Sequence, residues 1–403
     1  MGDRLIRSET LMDIAGAIRL KTDTADAMSP GQMAEKILLA GFGSVPGYHD
    51  LEAMAVMEKI RQVRSSGSNV LVFGAMADSH VHVGTQYEAM TKVSARHGGF
   101  ALETVGRWAG CNFLANLGDN CWGGDLDTAE DFAAARYLNG CVAAGFGHLR
   151  SYRLVGECDR SANPKKLYAL NGIHNAFEVS AATAHRDFGY TDYPTRKVRL
   201  IVLNTSDCQG ADPGFGMSYE QKAFLMHALN LSGKADCGQW QILILSHYPL
   251  DYPSDIRYNT AADVDAILSA YVGGGTANIS VQSAYAAAEG EEPSAFGVYS
   301  GGALVYDYAG KNGARIIANI HGHVHNNCYG FLTGSGLRRV ATPNTCFYQN
   351  DKYATGIYGT DMAYPKTENT PQDTAVTFYA LDLDNRVIHS IAYGAGADRV
   401  ISY

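Results

Sequence analysis

From about residue 68 onward the chain repeats one local grammar: a short apolar run stops abruptly at polar or ionisable residues, and a stretch with helical spacing follows. The runs are "NVLVFGAMADSHVH", "CNFLANLGDN", "KKLYALNGIHN", "VRLIVLNTSD", "WQILILSHYP" and "ARIIANIHGHVH", each carrying four to eight β-branched or aliphatic residues. Runs of that length without alternation predict strands covered on both faces. Between them, "DTAEDFAAARYLNGCVAAG" and "SYEQKAFLMHALNLSG" have the spacing of helices. Strands alternating with helices predict an α/β fold. Residues 273–302, rich in small side chains, read as a loop insertion, and "FYALDL" and "VIHSIAY" read as two strands around an Asp-Asn turn.

At or just past the carboxyl end of almost every predicted strand stands a residue able to hold a metal: Asp78 and His80, Asp119, His174, His247, His323 and His325. In an open α/β sheet the loops leaving the carboxyl ends converge on one edge, so these side chains are expected to meet. Singly, each has a plain alternative as a turn residue or a core histidine. Jointly they predict a metal centre, because histidines without a shared task have no reason to recur at equivalent strand ends. Carboxylate and imidazole donors suit Mn, Fe or Zn, whereas calcium takes oxygen ligands and structural zinc usually takes thiolates. On extended backbone the i, i+2 spacing of Asp78/His80 and of His323/His325 turns each pair to one side. Gly322 lets the backbone approach the ions. A carboxylate shared between two cations makes a hydrolytic centre that activates water and neutralises a phosphoryl transition state.

Composition narrows the function classes. The chain has 403 residues, 46% of them hydrophobic, enough for a sizeable core. Its net charge of −9 and the absence of Lys/Arg clusters argue against nucleic-acid binding. No apolar run is long enough to cross a membrane, and "MGDRLIRSETLMD" lacks a signal peptide's apolar segment, so a cytoplasmic product is expected as synthesised. The eight scattered cysteines, with no C-x-x-C pair, are expected to be reduced and mostly buried, and no cysteine zinc site is expected.

Residues 10–39 stand apart. "TLMDIAGAIRLKT" predicts one short helix, and "AMSPGQMAEKILLAGFG", with Ser29 as cap, Pro30 at the first helical position and Gly41 as stop, predicts a second. The expected division is a helical hairpin and linker over 1–45, ending in "GFGSVPGYHD", and one larger domain over 46–403. The hairpin resembles a short amino-terminal module of phage virion and tail proteins. That resemblance implies virion association and tail or virion proteins as partners.

The larger domain resembles the calcineurin-like metallophosphoesterases, a family that includes purple acid phosphatases and phosphodiesterases. Its motifs occur in family order: "DSH" (Asp78, His80), "GDNCWGG" (Asp119), "LSHYP" (His247) and "GHVH" (His323, His325), within roughly residues 68–393. The resemblance implies a four-layer α/β/β/α sandwich and two divalent or trivalent ions, Mn, Fe or Zn. Asp78, His80 and His325 would bind the first, His247 and His323 the second, with Asp119 between them. It further implies hydrolysis of a phosphate ester by an activated water, with His174 as general acid. The third motif departs: in "NGIHN" Ile173 replaces the family's metal-binding Asn, leaving Asn171 or Asn175 to supply an oxygen, with Asn171 preferred. The expected function is a phosphoesterase, in its finer form a phosphodiesterase acting on a host surface polymer. The alternatives are a structural or carbohydrate-binding virion protein that has lost catalysis through Ile173, and a bacterial housekeeping phosphatase with an unrelated helical extension.

Overall fold

The computed structural model describes residues 45–121, 134, 149–159, 175–180, 187–206, 216–251, 260–280, 303–347 and 365–403. The predicted hairpin over 10–39, all but Ala134 of the predicted helix "DTAEDFAAARYLNGCVAAG", and nearly all of "KKLYALNGIHN" lie outside these residues.

Four α-helices are described: α1 (Gly47–Ser66), α2 (Glu88–Trp108), α3 (Tyr219–Ala228) and α4 (Thr260–Gly273). The first strands in chain order are β1 (Val70–Met76), β2 (Phe113–Asn116), β3 (Ser151–Arg153), β4 (Val179–Ser180) and β5 (Gly189–Tyr193). They are followed by β6 (Val198–Val202), β7 (Gln241–Ser246), β8 (Thr276–Ser280), β9 (Ala303–Asp307) and β10 (Arg315–His321). The last are β11 (Tyr329–Phe331), β12 (Arg338–Ala341), β13 (Ala375–Asp382), β14 (Val387–Gly394) and β15 (Arg399–Ser402). They form two large mixed sheets, ordered β15-β14-β13-β1-β2-β3 and β11-β12-β10-β7-β6-β5-β4, and a β8-β9 hairpin. In the first sheet β1, β2 and β3 run parallel; in the second β6, β7, β10 and β12 do. The expected α/β class holds at this level.

The unalternating runs are explained by what covers each face. In β1, Val70, Val72 and Met76 join a cluster with Ala53, Val56 and Ile60 of α1 and Leu102 and Val105 of α2. The intervening Leu71, Phe73 and Ala75 join a different cluster with Leu200 of β6, Leu243 of β7 and Ile320 of β10. Strand β7 behaves likewise: Leu243 and Leu245 meet the first sheet's residues, while Ile242 and Ile244 pack with Phe224 of α3 and Leu268 of α4. Both faces are apolar because both are covered.

Two local readings are corrected. "GYHD", read as linker, is the first turn of α1, which buries His49, Ala53, Val56 and Ile60, a stripe at helical spacing. The segment 273–302, read as loop, contributes Thr276–Ser280 to the β8-β9 hairpin. The predicted carboxyl-terminal strand pair is present. Ser218 caps α3 by accepting from the Gln221 N–H at 3.2 Å, and β13 and β14 pair antiparallel across the Asp-Asn turn. Six cysteines fall in the described residues, with Cys111, Cys121, Cys328 and Cys346 buried. Among the described residues no helix is long and apolar enough to cross a membrane.

Candidate metal centre

Strands β1 and β2 of the first sheet and β7 and β10 of the second end at one place, and the loops that leave them are laced together by backbone hydrogen bonds. The Asp78 N–H donates to Gly118 O at 2.9 Å, His80 N–H to Asp119 O at 3.0 Å, and Gly322 N–H to His247 O at 3.0 Å. The Asp78 carboxylate crosses between the sheets, accepting the His323 N–H at 2.9 and 3.1 Å. Six of the predicted side chains are thereby brought together: Asp78, His80, Asp119, His247, His323 and His325, all buried.

Their donor atoms fall into two trios. In one, Asp78, His80 and His325 each present an atom within 4.8 Å of the others; in the second, Asp119, His247 and His323 do the same. His325 Nε2 lies 3.4 Å from Asp78 Oδ1, and His80 Nε2 lies 3.0 Å from His325 Nε2. Asp119 faces both trios, with Oδ1 3.5 Å from His247 Nε2 and Oδ2 3.7 Å from His80 Nε2. His247 Nδ1 lies 2.7 Å from the carbonyl of Leu117, to which it can only donate. That fixes the orientation of the ring and turns Nε2 toward Asp119.

This donor set fits a cation. Asp119 Oδ2 is buried and receives no hydrogen bond among the described residues. Burial works to raise the Asp78 carboxyl, and the imidazoles of His325, His247 and His80 outweigh it, holding it below the usual carboxylate range. Buried carboxylates and imidazoles at these separations are stabilised by positive charge among them, whether carried by a proton or by a bound ion.

The route by which the ligands converge differs from the expectation of extended backbone. Asp78, His80, Asp119, His323 and His325 all have positive φ, between 39° and 66°. They make up five of the nine non-glycine residues in that state among the described residues. Such backbone costs about 1–2 kcal/mol per residue and gathers at functional sites. The pairs share a side because each sits in a tight left-handed turn and not because a pleat alternates. At Gly322 a Cβ would stand 2.9 Å from Asp78 Oδ2, 3.0 Å from Ala77 Cβ and 3.4 Å from His247 Nδ1.

Of the third motif only Asn175 is among the described residues. Asn171, Ile173 and His174 lie outside the described residues. Asn175, the other candidate oxygen donor, is spent elsewhere: Oδ1 accepts from Arg153 N–H at 2.8 Å and Nδ2 donates to Arg153 O at 3.0 Å. Beside β2 the structure places β3, and at its carboxyl end the loop Gly156-Glu157-Cys158-Asp159 closes on Asp119. The Cys158 N–H donates to Asp119 Oδ1 at 2.9 Å, and Cys158, His80 and Asp119 form a further group of mutually close donor atoms. A thiol therefore stands at a centre expected to contain none.

Asp159, also unforeseen, is buried and holds the "GDN" loop. It accepts from Asn120 N–H at 2.7 Å, Asn120 Nδ2 at 2.9 Å, Cys121 N–H at 3.3 Å and Gly156 N–H at 3.1 Å. Burial and the neighbouring Asp119 carboxylate push its pKa up to about 7.

His321 and His82 flank the site and are buried. His321 Nδ1 lies 2.9 Å from Gly322 O, and burial pushes its pKa down to about 3; His82 Nδ1 meets Thr85 Oγ1 at 3.2 Å.

No family model matches the chain, and no curated protein does. Among solved structures it is similar to a dimetal phosphatase from Danio rerio, at 14% identity and a TM-score of 0.48, covering 83% of this chain and 99% of that one. It is similar to a purple acid phosphatase from yellow lupin (Lupinus luteus) seeds at 11% identity and a TM-score of 0.43, where 83% of this chain spans 54% of that one. A third is PhoD, at 8% identity and a TM-score of 0.41, covering 83% of this chain and 69% of that one.

Proposed function

We propose that this chain is a metal-dependent phosphoesterase built as a four-layer α/β/β/α sandwich. The observation that carries the reading is the pair of buried donor trios with Asp119 facing both. In this reading Asp78, His80 and His325 hold one cation, His247 and His323 the other, and Asp119 lies between. Bound there, Mn, Fe or Zn ions supply water activation and charge neutralisation at a phosphoryl group. The protein's part is positional. Asp78 and Asp119 supply the negative charge that retains cations. The Leu117 carbonyl orients His247, and the Asp159 carboxylate fixes the loop that carries Asp119.

The Gly156–Asp159 loop is assigned as the third ligand-bearing segment, with Cys158 the donor nearest Asp119. Asn171 and His174, the latter as general acid, remain part of the proposal on the strength of the sequence. So do a phosphodiester substrate in a host surface polymer, association with a virion through residues 1–45, and a separate domain over 46–403.

The deciding measurement is turnover of bis(p-nitrophenyl) phosphate by stripped protein reloaded with manganese. Metal-dependent turnover that falls by at least about a hundredfold in Asp119→Asn, with the circular dichroism unchanged, is expected. A folded, metal-loaded protein without turnover on this diester or on p-nitrophenyl phosphate would refute the assignment and favour a virion component on the same scaffold.

A further inference from the structure

Away from the centre described above, the outer helices carry another cluster of histidine and carboxylate. His49 in the first turn of α1, His97 in α2 and Asp373 in the turn before β13 are all buried. Their donor atoms converge: His49 Nε2 lies 3.0 Å from His97 Nδ1 and 3.3 Å from Asp373 Oδ1, and His97 Nδ1 lies 2.9 Å from Asp373 Oδ2.

In one tautomer of His49 a buried carboxylate oxygen of the cluster is left without a donor. In that tautomer the Tyr393 hydroxyl donates its one proton to His49 O at 3.2 Å and accepts from His49 Nδ1, 2.9 Å away. His49 Nδ1 therefore carries the hydrogen, and Nε2 presents a lone pair to the cluster. A hydrogen on His97 Nδ1 can serve either His49 Nε2 or Asp373 Oδ2. Neither choice gives a donor to Asp373 Oδ1, which is buried without a hydrogen bond and faces the His49 lone pair. The Tyr48 hydroxyl reaches only Oδ2, and only at 3.5 Å. Burial lowers the His49 pKa against the raising effect of Asp373.

Lone pairs and a carboxylate are thus turned on one point. Their separations match the edges of a coordination polyhedron, since donors about 2.0–2.1 Å from a tetrahedral ion lie about 3.3 Å apart. A cavity of about 350 Å³, lined by Tyr48, Arg96, His97, Glu368 and Asp373 among others, gives access.

We propose that His49, His97 and Asp373 form a separate binding site for one divalent transition-metal cation of the Zn, Co or Mn class. The site ties α1 and α2 to the turn that leads into β13. It does not depend on the phosphoesterase reading, because no donor is shared with the other trios.

The test counts metal in the full chain, stripped with chelator and reloaded with Co(II). At matched free cobalt the wild type is expected to hold one equivalent more per chain than His97→Ala, and Asp119→Asn is expected to retain that equivalent. In the Asp119→Asn background, cobalt should raise the unfolding temperature, and adding Asp373→Asn should reduce the rise. Crystals of the loaded wild type should show an anomalous peak at the cobalt edge between the three side chains, a readout that needs no variant to fold. Equal metal content in wild type and His97→Ala, or no peak at this cluster, would overturn the proposal and leave a proton-sharing triad only.

Discussion

Replacing Gly322 with alanine tests whether the metal centre depends on close packing between the ends of the two sheets. Gly322 does not have positive φ, so the methyl adds no backbone strain and the effect is steric. The new Cβ would lie 2.9 Å from Asp78 Oδ2 and 3.0 Å from Ala77 Cβ, where ordinary contacts are about 3.5–4.0 Å. Asp78 and the end of β1 must each give way by roughly 0.5–1 Å. Overpacking of this kind costs about 1–3 kcal/mol of stability. A ligand displaced by about 1 Å costs roughly a hundredfold in rate, so function should fall far more than stability. Three measurements on one preparation decide it: metal per chain, kcat/KM on bis(p-nitrophenyl) phosphate, and the urea midpoint. Gly233→Ala is the control, because nothing lies within 4 Å of a Cβ there. A folded Gly322→Ala protein with full metal content and kcat/KM within about twofold of wild type would show that Asp78 is not held where the chemistry needs it.

Asp159→Ala strands four N–H donors, and at about 1–3 kcal/mol for each group left unsatisfied it should destabilise by several kcal/mol and deplete metal; an unchanged urea midpoint would contradict its anchoring role. Cys158→Ser exchanges a soft donor for a hard one and should shift zinc–manganese competition toward manganese, whereas identical selectivity would remove Cys158 from the ligand set. Asp192 and Arg199 are cross-strand partners in β5 and β6, joined by bonds of 2.7 and 2.9 Å. Burial works to raise the Asp192 carboxyl, but Arg199 and Lys234 outweigh it and hold it low. A depressed carboxyl stabilises above its unfolded pKa, near about 4, and loses that contribution as pH falls through the folded value. Asp192→Asn should therefore flatten the decline of the urea midpoint below about pH 4, and parallel acid limbs would refute the pairing.

What the sequence disclosed followed from long-lived physical signals. Strands β1, β6, β7 and β10 were legible because both of their faces are apolar, and Asp78, His80, Asp119, His247, His323 and His325 because each follows such a run or the run of β2. Strand β3 gave no such signal. It is three residues long, only half covered on alternate positions and ends in Arg153, so the Gly156–Asp159 loop had no apolar run to mark it. "NGIHN" drew the reading of the third motif because it contains a histidine. His49 was equally hidden. A glycine, a tyrosine and an aspartate around it resemble a linker, and only the later Ala53, Val56 and Ile60 reveal the helix it opens. Cys158 could not be told from a buried thiol, since only the approach of β3 to Asp119 separates the two roles.

The left-handed backbone at Asp78, His80, Asp119, His323 and His325 also bears on which replacements these positions admit. The turns are pinned by Gly118 O, His247 O and the Asp78 carboxylate. β-Branched side chains tolerate such backbone worst, so valine at any of the five should deform its turn as well as delete the donor, whereas asparagine should delete the donor and keep the turn.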